Sequence, residues 1–272
     1  MPKICANISM LFSEHAFLDR FECAAQAGFQ GIEYWFPYDY AATDIKQRLD
    51  DKKLKQVLFN LPAGNWAEGE RGIACLPDRI NEFRDGVELA IEYAQALDCS
   101  LCNALAGIAP EDLSQDLARN TFIENLTYAS DKLSAAGITP VTEAINTYDI
   151  PGFFLNTTAQ AIDIIDQVGS DKLLFQYDIY HMQRMEGELA ATLQANISRI
   201  GHIQLADNPG RHQPGTGEIN FPFLLMLIDE IGYQGWVGAE YWPSGSTDGS
   251  FDWLKNYRLA QNSSARIAGK TL

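Results

Sequence analysis

Short apolar, β-leaning runs return eight times along the chain, and the stretches between them carry helical spacing or capping signals. The runs are Lys3–Ser9, Gly31–Trp35, Gln56–Asn60, Ser100–Ala104, Thr139–Glu143, Lys172–Asp178, His202–Ala206 and Trp236–Tyr241. Helices are predicted over Leu18–Ala27, stopped by Gly28, over Arg79–Leu97, and over Thr158–Val168, stopped by Gly169. Eight strand–helix units in 272 residues give about 34 residues each, the spacing of a single α/β (β/α)8 TIM barrel. A doubly wound open sheet would carry a glycine-rich phosphate loop after its first strand, and NISMLFSEH has none. No linker interrupts the pattern, so one barrel domain is expected over 1–261, followed by a loose polar tail over 262–272.

Composition agrees with a packed domain: 46% of residues are hydrophobic and 21% charged, enough apolar material for a core. Charge narrows the partners. With 36 acidic against 20 basic residues the formal charge is −16, which disfavours a nucleic-acid surface, because phosphate contacts need clustered Lys and Arg. A small anionic substrate stays compatible, since a metal or one Arg reverses the field locally. No run of about 18 apolar residues predicts a membrane span, and the N-terminus lacks the pattern of a signal peptide. Five scattered cysteines read as free thiols in a cytoplasmic protein, with Cys99 and Cys102 on a buried strand rather than in a redox pair. Self-association into a homo-oligomer stays open.

The chemistry is expected at the C-terminal ends of the strands, where barrel enzymes keep their reacting groups. Strand five ends on Glu143, strand six on Asp178, strand seven carries Gln204 and strand eight leads to Glu240. A single strand-end acid is ordinary capping or pairing. Oxygen-bearing side chains on four consecutive strands can converge at the mouth. Three carboxylates held close together repel one another unless a cation sits among them. Carboxylate and amide oxygens are hard ligands, so Mg²⁺ is expected, with Mn²⁺ the alternative. His181, three residues past Asp178, and Arg211, in the loop after strand seven, are predicted at the substrate, Arg211 as a fork for a carboxylate. The loop after strand three, NWAEGERG, is placed to cover the mouth; Glu70 is counted among the substrate contacts, and Trp66 would exclude water.

At these residues the sequence resembles the hydroxypyruvate isomerase family of the sugar isomerase and epimerase TIM barrels. The matching stretches are NLPAGNWAEGERGIACLP, DIPGF, QYDIYHMQRMEGEL, HIQLADNPGRHQPGTGEINF and GYQGWVGAEYWP, and the similarity runs from NISMLF to about Arg258. The resemblance implies a metal at Glu143, Asp178, Gln204 and Glu240, with Glu143 and Glu240 as the acid/base pair and His181 and Arg211 on the substrate. It implies interconversion of hydroxypyruvate and tartronate semialdehyde through an enediolate, without an organic cofactor. Two positions depart from the family pattern: Ala144 follows Glu143 where Pro is usual, and Trp242 stands where Lys is common. A four-carbon 2-oxo-tetronate is the nearest alternative substrate. A glycosidase, which would use paired carboxylates without a metal, a metal-dependent endonuclease and a non-catalytic sugar-acid binding barrel are more distant alternatives.

Overall fold

The computed structural model describes residues 2–255 except Ser170, together with Tyr257. The tail expected over 262–272 lies outside the described residues. Eight parallel strands close into one barrel in sequence order: β1 (Lys3–Asn7), β2 (Gly31–Glu33), β3 (Lys55–Asn60), β4 (Leu101–Ala104), β5 (Thr139–Glu143), β6 (Leu174–Asp178), β7 (Ile200–Leu205) and β8 (Trp236–Ala239). Helices alternate with them: α1 (Arg20–Gln26), α2 (Ala42–Lys52), α3 (Ile80–Ala96), α4 (Gln115–Ala135), α5 (Thr158–Val168), α6 (Ile179–Met185), α7 (Leu189–Asn196) and α8 (Phe221–Glu230). Among the described residues, no helix is long and apolar enough to cross a membrane.

Local chemistry explains the helix ends. The Thr157 hydroxyl accepts from the Gln160 N–H at 3.2 Å, and the Gln160 side chain accepts from the Asn156 N–H at 3.1 Å. These bonds satisfy donors that the first turn of α5 leaves open. Ala161, Ile164, Ile165 and Val168 then fall on one buried stripe.

Alternation along the strands separates two apolar regions. Ile4, Ala6, Phe59, Phe175, Tyr177, Ile203, Leu205 and Val237 face the helices and belong to the large core. Cys5, Val57, Leu58 and Val141 form a smaller cluster with Leu101, Leu174 and Trp236, which fills the inside of the barrel. Above it the interior becomes polar, with Glu33, Gln176, His202 and Gln204 all buried. Register places Gln176 beside His202, Asp178 beside Gln204, and Gln204 beside Gly238. Gly238 matters because a Cβ there would run into the Glu33 carboxylate. A side chain at 238 would push Glu33 out of the barrel.

The loop after β3 is held against the one after β4 by a close backbone crossing. Gly72 bridges Ala106 and has φ +116°; a Cβ there would meet the Leu105 carbonyl oxygen at 2.5 Å and the Gly107 nitrogen at 2.8 Å. Both the backbone angle and the space demand glycine. Gly72→Ala is expected to destabilise the protein by about 2–4 kcal/mol. Urea unfolding of the variant beside the parent measures this, and an unchanged midpoint would show that the two loops part without penalty.

Candidate active site

The C-terminal rim of the barrel encloses a cavity of about 510 Å³. Its floor carries Glu143, Gln204, Glu240 and His181, and its walls carry Trp35, Trp66 and Trp242. Ligand atoms of Glu143, Asp178, His181 and Glu240 all lie within 4.8 Å of one another, and all four residues are buried.

Each side chain reaches this point through its element. Asp178 ends β6 and caps α6: its Oδ1 accepts from the Tyr180 N–H at 2.7 Å and the His181 N–H at 3.4 Å. Its Oδ2 is buried without a hydrogen-bond partner among the described residues, 3.5 Å from His181 Nε2 and 3.7 Å from Arg211 Nη2. Glu240 follows β8 and is held on both oxygens. Asn7 Nδ2 and Trp35 Nε1 donate to its Oε1, each at 2.9 Å, and Arg211 Nη2 donates to its Oε2 at 2.7 Å. Among the described residues Glu143 accepts from Asn103 Nδ2 alone, at 3.2 Å on Oε2; its Oε1 lies 3.9 Å from His181 Nε2.

These surroundings separate the acids. Burial, and then the negative charges of Glu240 and Asp178, push Glu143 well above the usual carboxylate range. Burial likewise raises Asp178, against the pull of Arg211. Burial raises Glu240 to about 7, again opposed by Arg211. Two carboxyl groups with divergent proton affinities are what acid/base work between adjacent carbons requires.

His181 is the neutral member. Burial and the nearby Arg211 and Arg184 charges hold its imidazole well below the ordinary value. Its tautomer follows from Asn146. The Asn146 Oδ1 accepts from the Tyr148 and Asp149 N–H groups, at 3.1 and 2.9 Å, so the amide presents its Nδ2 to His181 Nδ1, at 2.6 Å. His181 Nδ1 is therefore the acceptor and Nε2 carries the proton, with Asp178 Oδ2 at 3.5 Å and Arg211 Nη2 at 3.3 Å. That suits a hydrogen-bond donor to a substrate oxygen better than a metal ligand.

The acid-rich donor set fits a hard divalent cation. The buried, unpartnered Asp178 Oδ2 and three mutually repelling carboxylates favour a positive ion there. Arg211 now supplies part of that charge. Arg211, expected at a substrate carboxylate, lines the cavity and here pairs with Glu240 at 2.7 Å, with Asp178 3.7 Å away. Gln204 lines the cavity, but its amide is engaged: Nε2 donates to Glu33 Oε1 at 2.7 Å and Oε1 accepts from Gln176 Nε2 at 2.6 Å. One lone pair of Oε1 remains for a cation.

Glu70, expected at the substrate, is bonded within its own loop. It is not among the residues lining the cavity. Its carboxylate pairs with Arg79 at 2.7 Å and accepts from the Asn65 N–H. Hydrogen bonds from Arg79 and Asn65 hold it below the usual carboxylate range. It ties its own loop together instead of reaching the substrate space.

Sequence reasoning missed the supporting side of the site. Glu33 ends β2 and bonds His202 Nε2 at 2.6 Å, Gln204 at 2.7 Å and Asn7 Nδ2 at 3.1 Å. Burial raises its proton affinity, but His202 and these hydrogen bonds outweigh that and keep it low. Asn7, Asn60 and Asn103 occupy corresponding places on β1, β3 and β4. All are polar residues near strand ends, the signal that picked out Glu143 and Asp178. Cys99 and Cys102 are free and buried; Cys102 lies on β4 as expected, whereas Cys99 precedes that strand.

The description "xylose isomerase-like TIM barrel" fits residues 21–257. The chain is 52% identical to hydroxypyruvate isomerase of Escherichia coli (strain K12) over 258 residues, 95% of this chain and 100% of that one. It is 45% identical to 2-oxo-tetronate isomerase of Cupriavidus necator over 257 residues, 94% of this chain and 99% of that one. A crystal structure from Brucella melitensis, titled AP endonuclease, family 2, superposes with a TM-score of 0.92 at 44% identity, covering 94% of this chain and 99% of that one.

Proposed function

The chain belongs to the xylose isomerase-like TIM barrel family, and from that premise we propose that it interconverts hydroxypyruvate and tartronate semialdehyde. The observation that carries this reading is the buried cluster of Glu143, Asp178 and Glu240 beside a neutral His181. The reaction moves one proton from C3 to C2 and one from the C3 hydroxyl to the C2 oxygen, so it is redox-neutral and needs no organic cofactor. Glu240, fixed on both oxygens and with a proton affinity near neutral pH, removes the C3 proton. Glu143, which holds its proton more tightly, returns one to C2 from the other side of the cluster. The His181 Nε2–H donates to the oxygen on which charge develops. Trp35, Trp66 and Trp242 keep water from the enediolate.

Glu143, Asp178, Glu240 and the free lone pair of Gln204 would hold Mg²⁺ or Mn²⁺, which supplies a Lewis acid for the carbonyl and hydroxyl oxygens. A cytoplasmic location belongs to the same reading, since all five cysteines are free. A four-carbon 2-oxo-tetronate is the second candidate substrate, favoured by the 45% identity to a protein of that name. An endonuclease reading lacks support in a chain of charge −16.

The test is direct. Purified protein with Mg²⁺ is incubated with hydroxypyruvate or with 2-oxo-tetronate, and proton NMR in D2O follows the aldehyde formed from the first or the 3-ketone formed from the second, with deuterium entry at C2. Conversion of hydroxypyruvate is the expected result. Turnover of the four-carbon acid alone moves the assignment to the second substrate, and no turnover of either removes it.

A further inference from the structure

We propose that Arg71, on the loop after β3, holds the carboxylate of the substrate acid; this deepens the isomerase reading and rests on it. Three guanidinium groups line the cavity: Arg71, Arg184 and Arg211. Arg184 is paired with Asp149 at 2.9 Å, and Arg211 with Glu240 at 2.7 Å. Arg71 alone of the three has no carboxylate partner among the described residues. Its Nη1 donates to two backbone carbonyls, of Trp66 at 3.0 Å and of Glu70 at 2.7 Å. Its guanidinium lies over the Trp66 ring, 4.2 Å from the centroid. Neither Nε nor Nη2 has a protein acceptor among the described residues, so one edge of the fork is open to a ligand.

The group is also built to stay in place. The Glu70 carboxylate clamps the loop to Arg79 on one side, and the Gly72–Ala106 bridge clamps it on the other. The two carbonyls and the indole fix the plane of the guanidinium. A planar, pre-oriented cation in the same cavity as the acidic cluster suits an anion with two oxygens in one plane. Arg211 serves the protein's own carboxylates, while Arg71 has charge to spare for the ligand. The rest of the substrate then extends toward Glu240, whose Oε1 is bonded to Trp35, the ring next to Trp66.

The experiment compares the parent protein with Arg71→Met and Arg71→Gln. Methionine keeps the apolar stem and glutamine a polar group at about the place of Nε, so both remove the charge; circular dichroism checks the fold of each variant. KM is measured on whichever of hydroxypyruvate and 2-oxo-tetronate the parent turns over. Inhibition constants are measured for pyruvate and for hydroxyacetone, its neutral counterpart with a hydroxymethyl group in place of the carboxylate. Loss of a charge-assisted pair is expected to raise KM and the pyruvate constant by about tenfold to a hundredfold. The expected kcat stays within about threefold, and the hydroxyacetone constant does not move. An unchanged KM and pyruvate constant in a folded variant would overturn the assignment, as would an equal rise for hydroxyacetone, which would mean a distorted pocket. Should the parent turn over neither acid, the proposed function falls on its own. Calorimetric binding of pyruvate to parent and Arg71→Gln would then decide the role of Arg71 separately.

Discussion

Glu240→Gln is expected to lower kcat by about 10²- to 10⁴-fold, the usual span for a lost general base, while leaving the fold in place. Glutamine keeps the shape and can still accept from Asn7 and Trp35, so the loss reports proton transfer rather than collapse. In the parent, kcat/KM should fall as pH drops through the region where Glu240 takes up its proton, about 7 without a cation and lower with one bound, because only the carboxylate form abstracts. That acidic limb should vanish in the variant. Steady-state kinetics between pH 5 and 9 measure both, and a variant with full turnover would remove Glu240 from the chemistry.

Metal removal should have the second large effect. Exhaustive chelation is expected to abolish most activity, and Mg²⁺ or Mn²⁺ to restore it. A readout independent of turnover comes from stability. Glu143, Asp178 and Glu240 hold protons more tightly when folded than their ordinary values. The folded state therefore binds more protons than the unfolded one, and stability falls as pH rises from the ordinary carboxylate range toward 7. A cation among these groups opposes that trend. At a hundredfold excess over its dissociation constant it should add about 2.7 kcal/mol. For a chain of this size that is on the order of 5–10 °C in Tm. Calorimetric melts of chelated and Mg²⁺-loaded protein at pH 5 and pH 7.5 should show a larger metal effect at the higher pH. Equal melting temperatures at pH 7.5, with full activity after chelation, would leave a mechanism of carboxylates and histidine alone.

The eight strands were legible because each is a short apolar run bounded by helical spacing. Thr139–Glu143 and Thr158–Val168 were predicted to the residue. The predicted Lys172–Asp178 starts two residues before β6, and Trp236–Tyr241 runs two residues past β8, because spacing alone does not mark where the backbone joins or leaves the ladder. Of the site, strand-end position was enough to bring Glu143, Asp178 and Glu240 together. Spacing carried no information on where a long side chain would turn. Arg211 and Glu70 both found countercharges inside the protein, one on Glu240 and one on Arg79, a competition that only the folded arrangement reveals. Glu33 was passed over because its partners, His202, Gln204 and Asn7, lie far away in the sequence.

The polar barrel interior bears on how a chain of this kind can diverge. Glu33, His202, Gln204 and Gln176 form a run of mutual donors and acceptors at 2.6–2.7 Å, buried in the barrel beneath the cavity that the two glutamines line. Replacing any one by an aliphatic residue strands its neighbours in a dry environment, whereas replacing several at once need not. Single steps away from this quartet are thus closed to selection, and descendants that alter it should do so in blocks. New specificities would arise instead from the rim loops, where one residue can change without a compensating partner.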